Sequence, residues 1–418
     1  MDEKLLRELL GRALSAEPPL GPVAWNALRA GIRLRRRRRA QGTAACAAVL
    51  AAAVFAVPAL TGTSRPGPAL PAHPAPPARV VYVGNLDSGG PGSVTPISIA
   101  TGTPGKPIAG GRFPLFMAVT PDGKTVYVAN NIPGTVTPIT AATSKPGTAI
   151  KIGPYAGQIA FTPDGRTAYV ITGGPQTRPG SVRPITVATS KPGKLIKVGY
   201  NPLAVAVTPD GRTAYVGNYN TSLVTPINVA TGTPGAPIRT GRGPCDFAFS
   251  RDGRTAYVVS QVAGTVTPIS TATNRPGKPI KVGSQPITMA ITPNGKTAYV
   301  VNNAGTVTPI SLATNRPGKP IKVGSGPLAI AITPDGRTAY VLNYVGNTVT
   351  PIALATNRPG NPIATGEGPR AIVITPDGKT AYVANFKSDT VTPITTATNK
   401  PGPAIKVGKQ PTALVLVP

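Results

Sequence analysis

Outside the repeated Asp-Gly turns, residues 80–418 offer four carboxylates: Asp87, Asp246, Glu367 and Asp389. The chain's one histidine, His73, lies ahead of this region in a proline-rich stretch. Histidine-based general acid–base work, histidine triads and histidine metal ligation are therefore excluded from residues 80–418. A carboxylate pair for glycoside hydrolysis would have to come from Asp87, Asp246 and Asp389. No glycine-rich loop follows a strand and opens a helix, so a phosphate cradle is absent. Cys245 has no histidine to activate it and reads as a small buried residue. No metal site and no cofactor are expected.

The elements that carry these residues are read from a repeat. Residues 286–324, PITMAITPNGKTAYVVNNAGTVTPISLATNRPGKPIKVG, contain four short β-rich runs separated by turn signals. Tyrosines of the second run, from Tyr82 to Tyr382, recur every 41 to 46 residues. Four strands per 40–50 residues is the pattern of a propeller blade. Glycine (48) and proline (51) are abundant, and in register they act as turns between strands. A blade buries its faces only against neighbours, so the blades must stack around an axis.

The second runs read YVGN at 82–85 and 215–218, YVAN at 127–130 and 382–385, YVVN at 299–302 and YVLN at 340–343. With the preceding Pro-Asp-Gly turn, they resemble the YVTN-type β-propeller repeat family of bacterial and archaeal cell-surface proteins. YVIT at 169–172 and YVVS at 257–260 depart from the pattern. The resemblance implies a propeller and a surface location, and no uniform activity.

The array begins at Val80 with a second run and ends at Pro411–Val417 with a lone first run. The expectation is an all-β, eight-bladed propeller of four-stranded blades, closed by the C-terminal strand; seven blades is the alternative. Each third run carries a proline, from Pro96 to Pro393, which removes a ladder hydrogen bond. A poorly paired fourth strand or a bulge is expected opposite it.

Alternating strand directions give two faces of different chemistry. One holds the Pro-Asp-Gly turns and the turns between third and fourth runs. Its cations, with Arg275, Lys278, Arg316, Lys319, Arg337 and Arg358 foremost, are candidates for attracting a polyanion. The same cations also suit a solvated surface. The opposite face holds Asn130, Asn131, Tyr200, Asn201, Asn218, Tyr219, Asn220, Asp246, Asn302, Asn303, Asn343, Tyr344, Arg370 and Asn385. These are candidates for a shallow polar site around the axis; the asparagines also fit left-handed turns after strands. The tyrosines of the second runs are read as interblade packing.

Charge is uneven along the chain. The formal net charge is +29, and residues 80–418 alone hold 31 Lys/Arg against 10 Asp/Glu. Residues 1–42 form a basic segment with helical periodicity that ends in Arg35–Arg39. Residues 43–60 are uncharged, alanine- and valine-rich and just long enough to cross a bilayer. Arginines on the N-terminal side place residues 1–42 in the cytoplasm and the repeats outside. A cleaved signal is the alternative. Residues 61–79 read as an extended spacer, and residues 80–418 as the propeller. The expected location is therefore the cell membrane, single-pass, with a monomeric propeller outside.

Taken together, the residues suggest a binding scaffold at the envelope and no enzyme, with an unspecified polymer, glycan or protein as partner and no nucleic acid. A propeller enzyme of lactonase or quinoprotein type is the alternative, and a sensor acting through the cytoplasmic helices a second one.

Overall fold

The computed structural model describes residues 80–173 and 179–417. The expected cytoplasmic segment, membrane-crossing helix and spacer lie outside the described residues. Among the described residues no helix is long and apolar enough to cross a membrane.

Eight antiparallel sheets form eight blades. Blade 1 takes its outer strands from Val80–Asn85, Gly92–Ser98 and Ile108–Gly111, and its innermost strand from Pro411–Val417. Val80 pairs with Val417 and Val83 with Leu414, so the tail strand closes the ring as the sequence predicts. The innermost strands of blades 2 to 8 start at Pro114, Ala156, Pro202, Pro244, Pro286, Pro327 and Pro369. Each touches the innermost strand of the next blade, and Pro411–Val417 touches both Pro369–Ile374 and Pro114–Val119. The ring is thus eight-bladed.

The repeat tyrosines fill the seams between blades, and all eight are at most 3 % exposed. Between blades 4 and 5, Ala204, Tyr215, Val224 and Ile238 pack on Phe247, Ala256, Val258 and Ile269. The phenol reaches the next blade: Tyr299 donates to Asn357 Oδ1 at 2.7 Å and Tyr340 to Asn399 Oδ1 at 2.6 Å. Both asparagines sit in the left-handed region, which Asn tolerates. The core of the seam is therefore apolar, and the phenol ties it with a hydrogen bond at the hairpin face.

The third-strand proline acts as expected. Tyr127 pairs with Pro138 without a register break, while Pro138 accepts from Gly147 N–H on the outer side at 2.7 Å. A strand residue points its N–H and C=O to the same neighbour. The missing N–H therefore faces outward, and the fourth strand is split there into Lys145–Pro146 and Ile150–Lys151.

The Pro-Asp-Gly turns are built by their own side chains. In blade 3, Thr162 donates to Asp164 Oδ1 at 2.5 Å, and the same oxygen accepts from Arg166 N–H at 3.0 Å. Gly165 takes φ 70°, where a side chain would be strained.

Candidate functional site

Seven of the eight innermost strands enter the sheet through a proline followed by one unpaired residue. In blade 5, Pro244 pairs with Ser260 and Asp246 with Val259, which leaves Cys245 as the extra residue of a bulge. Arg370 of blade 8, between the Pro369–Asn385 and Ala371–Ala384 pairs, is its counterpart. Thr412 of blade 1 is another, and donates to the carbonyls of Gly84 and Pro114 at 3.2 and 3.0 Å. A bulge re-aims side chains, and here it does so at the start of the innermost strand, on the loop face.

Other blades put Leu115, Leu203, Ile287 and Leu328 at this bulge, and small or apolar residues at the next position. Blades 5 and 8 break the rule. Asp246 and Arg370 are the sole charged residues in the eight innermost strands, and both are buried, at 4 % and 6 % exposure.

Asp246 lies against blade 6. Its Oδ2 accepts from Thr288 Oγ1 at 2.9 Å and from Met289 N–H at 3.1 Å. Its Oδ1 accepts from Phe247 N–H at 2.8 Å. A carboxylate has about four lone-pair sites, so one on Oδ1 is left. Burial raises its pKa to about 7, against the pull of these donors. Blade 3 supplies the neutral counterpart, since Gln158 Oε1 accepts from Val205 N–H at 2.8 Å in the equivalent place.

Beside Cys245 stands a buried polar pair. Tyr219 donates to Gln261 Oε1 at 2.5 Å, and burial pushes its phenol, and the Cys245 thiol, above their ordinary values. Cys245 Sγ contacts the carbonyls of Ile287, Val259 and Pro286 at 3.4 to 3.8 Å, so the thiol fills an interblade slot. Arg370 stacks over Phe386 at 4.9 Å, and burial lowers its pKa. Lys387 lies over the Tyr344 ring at 5.5 Å.

The other residues singled out from sequence are spread differently. Asn130, Asn218, Asn302, Asn343 and Asn385 end the second strands inside the fold, at 0 % exposure. Each donates to a threonine of the third strand, as Asn302 does to Thr308 Oγ1 at 2.9 Å, so their role is to join strands and no ligand reaches them. Asn131 and Asn303 are half-buried and bond to the carbonyls of Ala156 and Pro327 in the next blade. Asn201 donates to Asn220 at 3.3 Å beside exposed Tyr200. On the other face Arg337 pairs with its own turn aspartate, Asp335, at 3.9 Å. Arg275, Lys278, Arg316, Lys319 and Arg358 are exposed on the outer wall.

Sequence reasoning missed Gln158, Thr288 and Gln261. The available signal was departure from the repeat at the third position of the innermost strand. Among the described residues no three His, Cys, Asp or Glu side chains gather as metal donors.

Comparison with known proteins adds the following. A family model described as "Lactonase, 7-bladed beta-propeller" matches residues 227–402, which include Asp246 and Arg370. The match carries this description and not the YVTN-type label, and this chain has eight blades rather than seven. No curated protein matches the chain. Among solved structures, the dihydro-heme d1 dehydrogenase NirN is similar, with a TM-score of 0.69, 20 % identity, 96 % of this chain and 86 % of that one covered. Hydrazine synthase of Kuenenia stuttgartiensis gives 0.56, with 24 % identity, 67 % of this chain and 95 % of that one. AztD from Citrobacter koseri gives 0.63, with 14 % identity, 82 % of this chain and 98 % of that one. At these identities the structural likeness shows the propeller fold.

The expectation of a non-enzyme is corrected by these findings. The match to a lactonase family model over residues 227–402 points to an enzyme-like propeller. The physical reason is legible at Asp246. A sparse inventory of titratable groups does not exclude catalysis when one of the few carboxylates is buried and titrates near neutrality.

Proposed function

We propose that this chain is a propeller enzyme of the lactonase type, hydrolysing a cyclic ester on its loop face. The observation that carries this reading is Asp246: a buried carboxyl, raised to about 7 and held by Thr288 and Met289 of the next blade. A general base works best with a pKa near the operating pH. The lactonase family match over residues 227–402 supports the choice of ester.

In this reading Asp246 takes a proton from water as the water oxygen bonds to the lactone carbonyl carbon. Negative charge gathers on the carbonyl oxygen as the tetrahedral centre forms. The ring C–O bond then breaks, and Asp246 returns its proton to the alkoxide. The product is an open-chain hydroxy acid. The charge pattern of residues 35–60 supports placing this chemistry outside the membrane.

The test is hydrolysis of glucono-δ-lactone and γ-butyrolactone by the purified chain, followed by pH-stat. Turnover above the buffer rate, reduced about 100-fold or more in Asp246→Asn, is expected. No turnover of either lactone, or an Asp246→Asn enzyme as fast as wild type, would falsify the reading.

A further inference from the structure

The outer wall of the propeller carries a second feature that lactone hydrolysis does not use. In several blades the fourth strand lies against the third-to-fourth turn of the next: Ile280–Lys281 touches Arg316–Pro317, and Ile321–Lys322 touches Arg358–Pro359. A notch opens at such a junction. Between blades 1 and 2 it encloses about 530 Å³ and is lined by Lys106, Lys145, Thr143, Ser144 and flanking prolines.

The repeat register decides which notches are doubly charged. One cation comes from the third residue after the turn's Lys/Arg position in one blade, and the other from that position in the next. Lys106 and Lys145 line the notch between blades 1 and 2; the same register brings Lys278 and Arg316 to the junction of blades 5 and 6, and Lys319 and Arg358 to that of blades 6 and 7. The last two are adjacent. Lys281 and Lys322 add exposed cations further along the same edge. Among the described residues, the ion pairs engage Lys124, Arg166, Arg212 and Arg337 in the Pro-Asp-Gly turns, and none of the notch cations.

We propose that these interblade notches, foremost those of blades 5 to 7, bind a linear acidic polysaccharide, with successive anionic groups seated in successive notches. Edge lysines also discourage strand pairing between molecules, but one charge per edge serves that purpose. Paired cations recurring from notch to notch, with no acidic partner, raise the local potential along a track. The chemistry of the wall selects the polymer. The exposed large apolar side chains are Leu195, Tyr200, Val262 and Val345, so no aromatic ring stands at the charged notches to stack a base. The exposed apolar groups beside them are prolines, and no large aliphatic or aromatic side chain is exposed there to enter a bilayer. Charge and hydroxyl contacts remain, and these suit a flexible polyanion.

The experiment measures binding of fluorescently labelled polygalacturonate to the full chain, against neutral dextran, a thymidine 20-mer and phosphatidylglycerol vesicles. The quadruple variant Lys278→Ser, Arg316→Ser, Lys319→Ser, Arg358→Ser should bind polygalacturonate about 30-fold more weakly, with a shallower salt dependence. The control variant Lys124→Ser, Arg166→Ser, Arg212→Ser, Arg337→Ser removes equal charge from the Pro-Asp-Gly turns and should change binding less than about threefold. Melting temperatures of both variants report that exposed substitutions leave the fold intact. Equal binding of dextran, or equal loss in the turn variant, overturns the proposal. Tighter, notch-dependent binding of the 20-mer or of vesicles also overturns it, in favour of nucleic acid or membrane.

Discussion

Asp246 Oδ2 and Thr288 Oγ1 lie 2.9 Å apart across the seam between blades 5 and 6, and the hydroxyl donates to the carboxylate. This bond favours the charged form of Asp246 and opposes the burial that raises its pKa. Replacing Thr288 with valine removes the donor and keeps the volume. The acidic limb of the pH–rate profile for lactone hydrolysis should then move upward by about one pH unit. An unmoved limb with unchanged turnover would detach Asp246 from the reaction.

Stability should depend on pH in a direction set by the same residue. The folded pKa of Asp246, about 7, lies above that of an ordinary carboxyl, so its stabilising protonation is fully present below the unfolded value. It is lost as pH rises through the folded pKa, at a cost on the order of 4 kcal/mol at full ionisation. Asp164, Asp252 and Asp335 are held low, first by hydroxyl donors Thr162, Ser250 and Thr333, and act in the opposite sense. Their contribution is lost as pH falls below the ordinary carboxyl range. Urea midpoints should therefore peak near pH 5 and decline to about pH 8. In Asp246→Asn the decline should vanish.

Gly283 should resist substitution although its neighbours Lys281 and Ser284 are exposed. A Cβ there would stand 2.6 Å from the Asn302 amide, which is buried and bonded to Thr306 and Thr308. Gly283→Ala should cost about 1–3 kcal/mol by urea denaturation. Gly232→Ala meets no atom within 4 Å but has φ 67°, so it isolates the backbone cost alone, on the order of 1 kcal/mol.

Ring closure should be measurable at Leu414. This side chain is fully buried with Val81, Val83 and Tyr382, which joins blade 1 to blade 8. Leu414→Ala should cost about 2–5 kcal/mol and lower the melting temperature. A stability equal to wild type would mean that the tail strand does not hold the ring.

Much of the fold was legible in the sequence because its rules are local. Tyr-Val-x-Asn, Pro-Asp-Gly and Thr-Val-Thr-Pro recur in register, and each specifies a strand or turn from its own residues. Even the interrupted fourth strand followed from one missing proline N–H. The lone first run at Pro411–Val417 likewise required a partner, and Val80–Asn85 was the strand lacking one.

What only the tertiary structure decided is where repeated residues end up relative to other blades. Asn302 and Asn385 looked like a polar rim and are fully buried strand joints, because their partners lie across the blade. Asp246 was one carboxylate among four, and its shift toward neutrality comes from burial in the seam, opposed by the donors Thr288 and Met289, 42 and 43 residues away. Periodicity fixes strands through short-range geometry. Desolvation and cross-seam hydrogen bonds, which set the chemistry of Asp246, exist only once the ring has closed.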